Sequence, residues 1–312
     1  MSRAIVFPGQ GSQAVGMGRE LAEAFPAARH VFEEVDEALQ QNLTRILWEG
    51  PEAELTLTEN AQPALMAVSL AVVRVLAEQG NWHLGEQAAF VAGHSLGEYS
   101  ALAAAGTFSL ADTARLLKTR GQAMQKAVPV GQGAMAALLG AELEQARAIA
   151  AEAAQGEVCQ VANDNSVGQI VISGAKAAIE RAIALAAAQG LKRAMLLPVS
   201  APFHCALMRP AAQVMAEALA GVSMQAPVVP VVANVAAEAV SDPARIRALL
   251  VEQVTGSVRW RESVLYMKAQ GVEQLVEAGA GKVLAGLTKR IDKEVSALSL
   301  NTPADIEAFL KA

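Results

Sequence analysis

The stretch Ala88-Ala89-Phe90-Val91-Ala92-Gly93-His94-Ser95-Leu96-Gly97-Glu98-Tyr99-Ser100-Ala101-Leu102-Ala103-Ala104-Ala105 decides the fold. Residues 88–92 are a short apolar run and predict a buried strand, and residues 98–105 predict a helix. Gly93-His94-Ser95-Leu96-Gly97 between them has the G-x-S-x-G form of a nucleophile elbow. Its glycines permit the sharp turn that lifts the Ser95 hydroxyl clear of a sheet. The helix N-terminus behind it offers free N–H groups and a positive dipole end to a developing oxyanion.

The same strand-then-helix rhythm extends outward. Residues 4–7 predict a strand, and residues 19–41, 62–79 and 110–127 predict helices, with Pro63 in a first turn that tolerates it. Such alternation implies a mostly parallel sheet covered by helices on both faces. From about Gly131 to Ser200 the rhythm changes. Strand 134–139, helix 143–155, strands 158–162 and 169–173, helix 177–189 and strand 194–199 follow one another, with Asn163-Asp164-Asn165-Ser166-Val167-Gly168 read as the turn joining the middle strands. The order β-α-β-β-α-β is that of a ferredoxin-like unit. The expected fold class is therefore α/β, a hydrolase-like core of residues 1–130 and 199–312 carrying an inserted ferredoxin-like small domain at 131–198. Helices at 210–219, 245–253, 261–270 and from Val283, with strands at 228–232, 272–277 and 295–300, complete the core.

Composition narrows the function classes. The chain has 312 residues, 53% of them hydrophobic and 18% charged, enough for a large domain with a well-buried core. Much of the apolar content is helical alanine, so the positive mean hydropathy does not imply a membrane protein. No run is expected to reach the 18 or more apolar residues of a spanning helix, and residues 2–7 are too short an apolar stretch for a signal peptide. The two cysteines, Cys159 and Cys205, form neither a disulfide framework nor a metal-ligand spacing. A cytoplasmic location is the simplest expectation. The net charge of −6 argues against a nucleic-acid partner.

A serine hydroxyl needs a base, and the chain offers four histidines. His94 adjoins the serine, and neighbouring side chains diverge, so it reads as packed structure. His30 lies on a polar helix face and His83 in a turn. His204 follows the last strand of the insert, at the re-entry into the core, where an interdomain cleft would lie. It is either that base or a core histidine. Phe7-Pro8-Gly9-Gln10-Gly11-Ser12-Gln13, after the first strand, matches a dinucleotide fingerprint poorly, because no acidic residue ends a second strand about 20 residues on. A second oxyanion N–H from this loop is the preferred reading. Arg120, near the end of an apolar helix, reads by itself as a charge on the helix dipole; at a pocket it would clamp a carboxylate with two prongs.

Together, Gly9-Gln10-Gly11-Ser12-Gln13, Asn60-Ala61-Gln62-Pro63-Ala64, Gly93-His94-Ser95-Leu96-Gly97-Glu98, Phe203-His204 and Gly281-Lys282-Val283-Leu284 closely resemble the malonyl-CoA:acyl carrier protein transacylases of fatty-acid synthesis, almost end to end. By position the resemblance implies Ser95 as the acylated serine and His204 as its base. It implies the backbone N–H groups of Gln10 and Leu96 as the oxyanion hole, and Arg120 as the grip on malonate's free carboxylate. Gln253 matches the glutamine beside the histidine, where a backbone carbonyl replaces an acidic triad member. Phe203 and Leu96 resemble malonyl-selective members. Val167 and Ser257 depart from the prolines that many members carry, which concerns loop stiffness. The implied partners are malonyl-CoA and acyl carrier protein, with the phosphopantetheine on the carrier, no tightly bound cofactor and no metal. Lys282, Lys289, Arg290 and Lys293, or Lys192 and Arg193, are candidates for docking an acidic carrier. A transacylase of a malonate decarboxylase or polyketide system, a serine thioesterase or hydrolase, and a non-catalytic binding module stay open as alternatives.

Overall fold

The computed structural model describes residues 2–191 and 193–312. Ten strands occur among the described residues: β1 (Arg3–Phe7), β2 (Phe90–Gly93), β3 (Gly133–Leu139), β4 (Cys159–Ser166), β5 (Gln169–Ala175), β6 (Arg193–Leu196), β7 (Val231–Val232), β8 (Ala239–Val240), β9 (Gln274–Ala278) and β10 (Ser296–Leu300). The larger sheet runs β10-β9-β1-β2-β7-β8 and is parallel except for the β7–β8 pair at its edge. Its central strands are apolar on both faces because each face meets a different core. Ile5 and Phe7 of β1 pack with the large helical cluster around Leu65, Val68 and Leu117. Ala4 and Val6 point the other way, onto Val264, Trp260 and Leu287.

The register fixes where chemistry can occur. Phe7 pairs with Gly93, and Ala92 with Val232. The loops leaving β1, β2 and β7 therefore emerge side by side at the carboxyl edge of the sheet, where open parallel sheets place their ligands. Those loops carry Gln10, Ser95 and Asn234 respectively.

The second sheet, β4-β5-β3-β6, is antiparallel throughout. With its two helices, Leu143–Ala154 and Lys176–Ala188, it has the expected β-α-β-β-α-β order. Alternation along β3 divides its faces. Ala136 and Leu138 join a small core with Ile149, Ile172 and Ile179 beneath the helices, while Met135 and Ala137 face the cleft toward the larger sheet.

Several local expectations fail for identifiable reasons. Asn163-Asp164-Asn165-Ser166 is strand rather than turn, and only Val167-Gly168 makes the connection. The free edge of β4 pairs with the segment around Val258, whose N–H donates to Ala162 O at 2.8 Å and whose carbonyl accepts from Asp164 N at 3.0 Å. The Asp164 carboxylate takes a two-pronged contact from Arg261, at 2.8 to 3.0 Å, so these polar side chains are satisfied without a loop. The segment 19–41 is two helices, Arg19–Ala24 and Pro26–Leu39. Pro26 forces Phe25 into an extended conformation and then serves as a favourable first helical residue. Helix Thr58–Gly80 begins four residues before the expected start, which moves Pro63 out of the first turn and into the helix. Its polar start is held by side chains: Thr58 Oγ1 donates to Gln10 Oε1, and Asn60 Nδ2 to Glu54 O, both at 2.9 Å. This helix is also long and apolar enough, by length and composition, to cross a membrane, contrary to the expectation that no segment would be. In the fold, 83% of its apolar window is buried; a helix apolar all round suits a position enclosed by other helices.

Candidate active site

Ser95 sits where β2 turns into helix Leu96–Ala104. Its backbone lies at φ 54°, ψ −109°, a conformation L-residues seldom adopt. The flanking glycines are required by contact. A Cβ on Gly93 would lie 1.9 Å from Gly97 O, and one on Gly97 would lie 2.3 Å from Phe7 O. The chain can thus double back against β1 only without those side chains. Among the described residues no group accepts a hydrogen bond from the N–H of Leu96 or of Gln10. Both residues line the same cleft as Ser95, so these two donors are left available to a group bound there.

Ser95 Oγ and His204 Nε2 are 2.7 Å apart. On the other side of the ring, Nδ1 lies 2.9 Å from Gln253 O and 3.2 Å from Gly256 O. Both are carbonyls and can only accept, so Nδ1 carries the proton and Nε2 is left to take the serine's. Burial, reinforced by the nearby positive charge of Arg120, holds the imidazole down to about 3. It is neutral, the form a general base needs.

Arg120 is 1% exposed, on helix Leu110–Ala127. It donates to Gln62 Oε1 at 2.7 Å, Gln253 Oε1 at 2.8 Å and Ser95 Oγ at 3.1 Å. Its guanidinium lies over the Tyr99 ring, 5.6 Å from the centroid. Among the described residues no carboxylate forms an ion pair with it, and its Nε has no partner. The nearest compensation comes through Gln253, whose amide Nε2 donates to Glu98 Oε2 at 2.8 Å. Burial raises Glu98 to about 7, with the Gln253 and Asn234 hydrogen bonds and Arg120 opposing the shift. A cationic side chain buried beside a serine hydroxyl without an anion in contact is costly.

The structure brings Ser95, His204, Arg120 and Gln253 within hydrogen-bond reach of one another. Gln10, Leu96 and Phe203 line the same cleft, of about 550 Å³. His30 and His83 are exposed. His94 does more than pack: it lines the cleft and its Nε2 lies 2.8 Å from Asn165 Oδ1, joining the elbow to β4. Cys205 is buried, its thiol directed at Pro202 O at 3.2 Å, and burial pushes that thiol up, away from nucleophilic use. Lys282, Lys289, Arg290, Lys293 and Arg193 are exposed, and Lys192 lies outside the described residues. Sequence reasoning missed Asn234, Glu98 and Gln62 as members of the site. Glu98 and Gln62 stood inside motifs already singled out. Asn234, in Ala233-Asn234-Val235, carried no local signal at all.

The acyl transferase domain family matches residues 4–300. The chain belongs to that family. It is 49% identical over 308 residues to the malonyl CoA-acyl carrier protein transacylase of Escherichia coli K12, covering 99% of this chain and 98% of that one. Among solved structures, this acyl transferase superimposes on the acyl-carrier-protein-S-malonyltransferase from Bartonella henselae with a TM-score of 0.98 at 57% identity, covering 100% and 99% of the two chains. It is likewise similar, at TM-score 0.96 and 45% identity over 100% and 99% of the chains, to the malonyl-transacylase solved in complex with its type II PKS acyl-carrier protein.

Proposed function

We infer that the protein transfers a malonyl group from malonyl-CoA to the phosphopantetheine thiol of an acyl carrier protein, through an ester on Ser95, and so supplies fatty-acid elongation. The observation that carries the substrate choice is Arg120, a buried cation 3.1 Å from Ser95 Oγ with no ion-paired carboxylate among the described residues. An acyl group bearing a free carboxylate supplies the missing anion; an acetyl group does not.

In the first half-reaction the Ser95 proton passes to His204 Nε2 as Oγ attacks the thioester carbonyl. The oxyanion is received by the N–H groups of Gln10 and Leu96. The intermediate collapses, and Nε2–H protonates the departing CoA thiolate. In the second half-reaction the carrier's thiol gives its proton to Nε2 and attacks the malonyl ester, and Ser95 leaves with the proton returned. Gln253 serves twice: its carbonyl holds the imidazole, and its side-chain oxygen holds Arg120. Phe203, 8% exposed, lines the cleft wall, where its bulky ring would crowd a branched acyl group. Every proton has a named carrier in this scheme, so the chemistry calls for no metal and no tightly bound cofactor.

The division into a core of 1–130 and 199–312 and an insert of 131–198 is supported by the separate small core under the second sheet. A cytoplasmic location is supported by two buried free thiols. The exposed Lys282, Lys289 and Arg290 flank Val283, Leu284 and Leu287, which line the cleft. A basic face there suits an acidic carrier protein. Intact-mass measurement after mixing with malonyl-CoA tests the reading: the wild type gains a malonyl adduct and Ser95→Ala gains none. An adduct on Ser95→Ala sinks it. A hydrolase would instead release malonate at a rate indifferent to carrier protein.

A further inference from the structure

We propose that Asn234 is the positioning residue that holds the nucleophile elbow in its reactive conformation and commits the Leu96 N–H to the oxyanion. The proposal rests on the reading of Ser95 as nucleophile.

Asn234 is 1% exposed and stands two residues past β7, beside the end of β2. The β2–β7 register, Ala92 opposite Val232, carries its side chain over the turn. There the amide spans the elbow. Oδ1 accepts from Ser95 N–H at 2.8 Å, and Nδ2 donates to Gly93 O at 2.7 Å. The backbone of Asn234 is itself fixed, its N–H donating to Glu98 Oε2 at 3.1 Å and its carbonyl accepting from Arg259 N at 3.0 Å. Gln253 Nε2 completes the clamp by donating to Ser95 O at 3.0 Å.

The chemistry of the two contacts calls for a side-chain amide. Ser95 N–H only donates and Gly93 O only accepts, so the clamp needs an acceptor and a donor on one short planar group. Aspartate supplies the first and, when ionised, not the second. The consequence is mechanistic. The conformation at Ser95, φ 54° and ψ −109°, is intrinsically unfavourable, and the clamp gives hydrogen bonds to it that a relaxed turn would lose. It also occupies the serine's own N–H, so the donor left facing the cleft from this turn is that of Leu96. Release of the clamp lets Ser95 Oγ drift from His204 Nε2, now 2.7 Å away. Displacements near 1 Å cost on the order of 100-fold in rate.

The test is single-turnover acylation by malonyl-CoA without carrier protein, followed by quench and intact mass. Rates are expressed per folded site, with the folded fraction taken from near-UV circular dichroism and thermal unfolding. For Asn234→Ala the maximal acylation rate should fall about 10- to 100-fold, while the half-saturating malonyl-CoA concentration stays within about twofold, because Arg120 and the cleft walls are untouched. Asn234→Asp provides a second arm that keeps the fold's hydrogen-bond acceptor. Its carboxyl, when protonated, regains a donor for Gly93 O, so its rate relative to wild type should rise as pH falls. A wild-type rate per folded site in Asn234→Ala overturns the proposal, as does an Asn234→Asp deficit that is flat with pH. If the wild type itself forms no adduct at Ser95, the functional reading fails first, and that result is visible in the same experiment.

Discussion

Arg120→Ala removes a guanidinium that is 1% exposed and makes hydrogen bonds to Gln62, Gln253 and Ser95 Oγ. In the acylated enzyme a malonyl carboxylate would take the place of the Ser95 contact and use the unpartnered Nε side of the group. Hydrogen bonds to charged groups contribute about 1.5–3 kcal/mol each. Two of them, less the desolvation of the carboxylate, leave a net of about 2–5 kcal/mol. At 1.36 kcal/mol per tenfold, kcat/KM for malonyl-CoA should fall about 30- to 5,000-fold. Acetyl-CoA makes no such contact. Its slow reaction should hold or rise, within about tenfold, the expense being the Gln62 and Gln253 amides left without their donor and the lost contact to Ser95 Oγ. Arg120→Lys should recover part of the malonyl rate, because one ammonium restores charge but not the two-pronged geometry. The assay is acylation by each acyl-CoA on protein shown to be folded by thermal unfolding. Equal proportional loss with both substrates would refute the reasoning and leave Arg120 a structural charge.

The pH dependence carries two further expectations. With His204 held at about 3 by burial, by Arg120 and to a smaller extent by His94, protonation of the base should not slow wild-type acylation as pH falls from 8 to about 5, where an ordinary histidine base would already be protonated, and any change near 7 belongs to Glu98; in Arg120→Ala one of these causes is gone, and the acid limb should move upward. The same group links stability to pH. The unfolded histidine binds a proton near 6.5 and the folded one does not, so its contribution is complete above about 6.5 and is lost as pH falls toward 3. By pH 5 the wild type should have lost about 2 kcal/mol more in urea unfolding than His204→Gln, a difference that cancels the shared contributions of Glu98, raised to about 7, and of His94, held down by burial. Finally, charge reversal at the exposed Lys289 and Arg290 should raise KM for carrier protein at low salt and spare acylation by malonyl-CoA; an unchanged KM removes that face as a docking surface.

Much of this molecule could be read along the chain because its determinants are local. The elbow was legible because its glycines are demanded by contacts within one turn and with the adjoining strand, Gly97 against Phe7 O and Gly93 against Gly97 O. Helix Leu110–Ala127 matched the periodic pattern end to end, and the order of strands and helices in the insert followed from pattern alone. What misled was polarity without context. Asn163 to Ser166 looked like a turn, since those residue types favour turns, until Val258 and Arg261 supplied backbone and side-chain partners from nearly a hundred residues away.

The sequence by itself determined that a serine would stand at the end of a central parallel strand with a helix dipole behind it, since strand, glycines and helix are contiguous. It left His204 between base and core residue, and Arg120 between clamp and helix-end charge. Only the tertiary structure sets both beside the serine, because each reading depends on what lies across the cleft: Ser95 Oγ is 2.7 Å from one and 3.1 Å from the other. It alone produced Asn234, whose part is set by the register of β7 on β2 and by nothing in its own neighbourhood. Local order is written in nearest neighbours along the chain. A serine–histidine contact, a clamp and a buried cation's need for an anion are properties of distance in space, and they exist only once the sheet has closed.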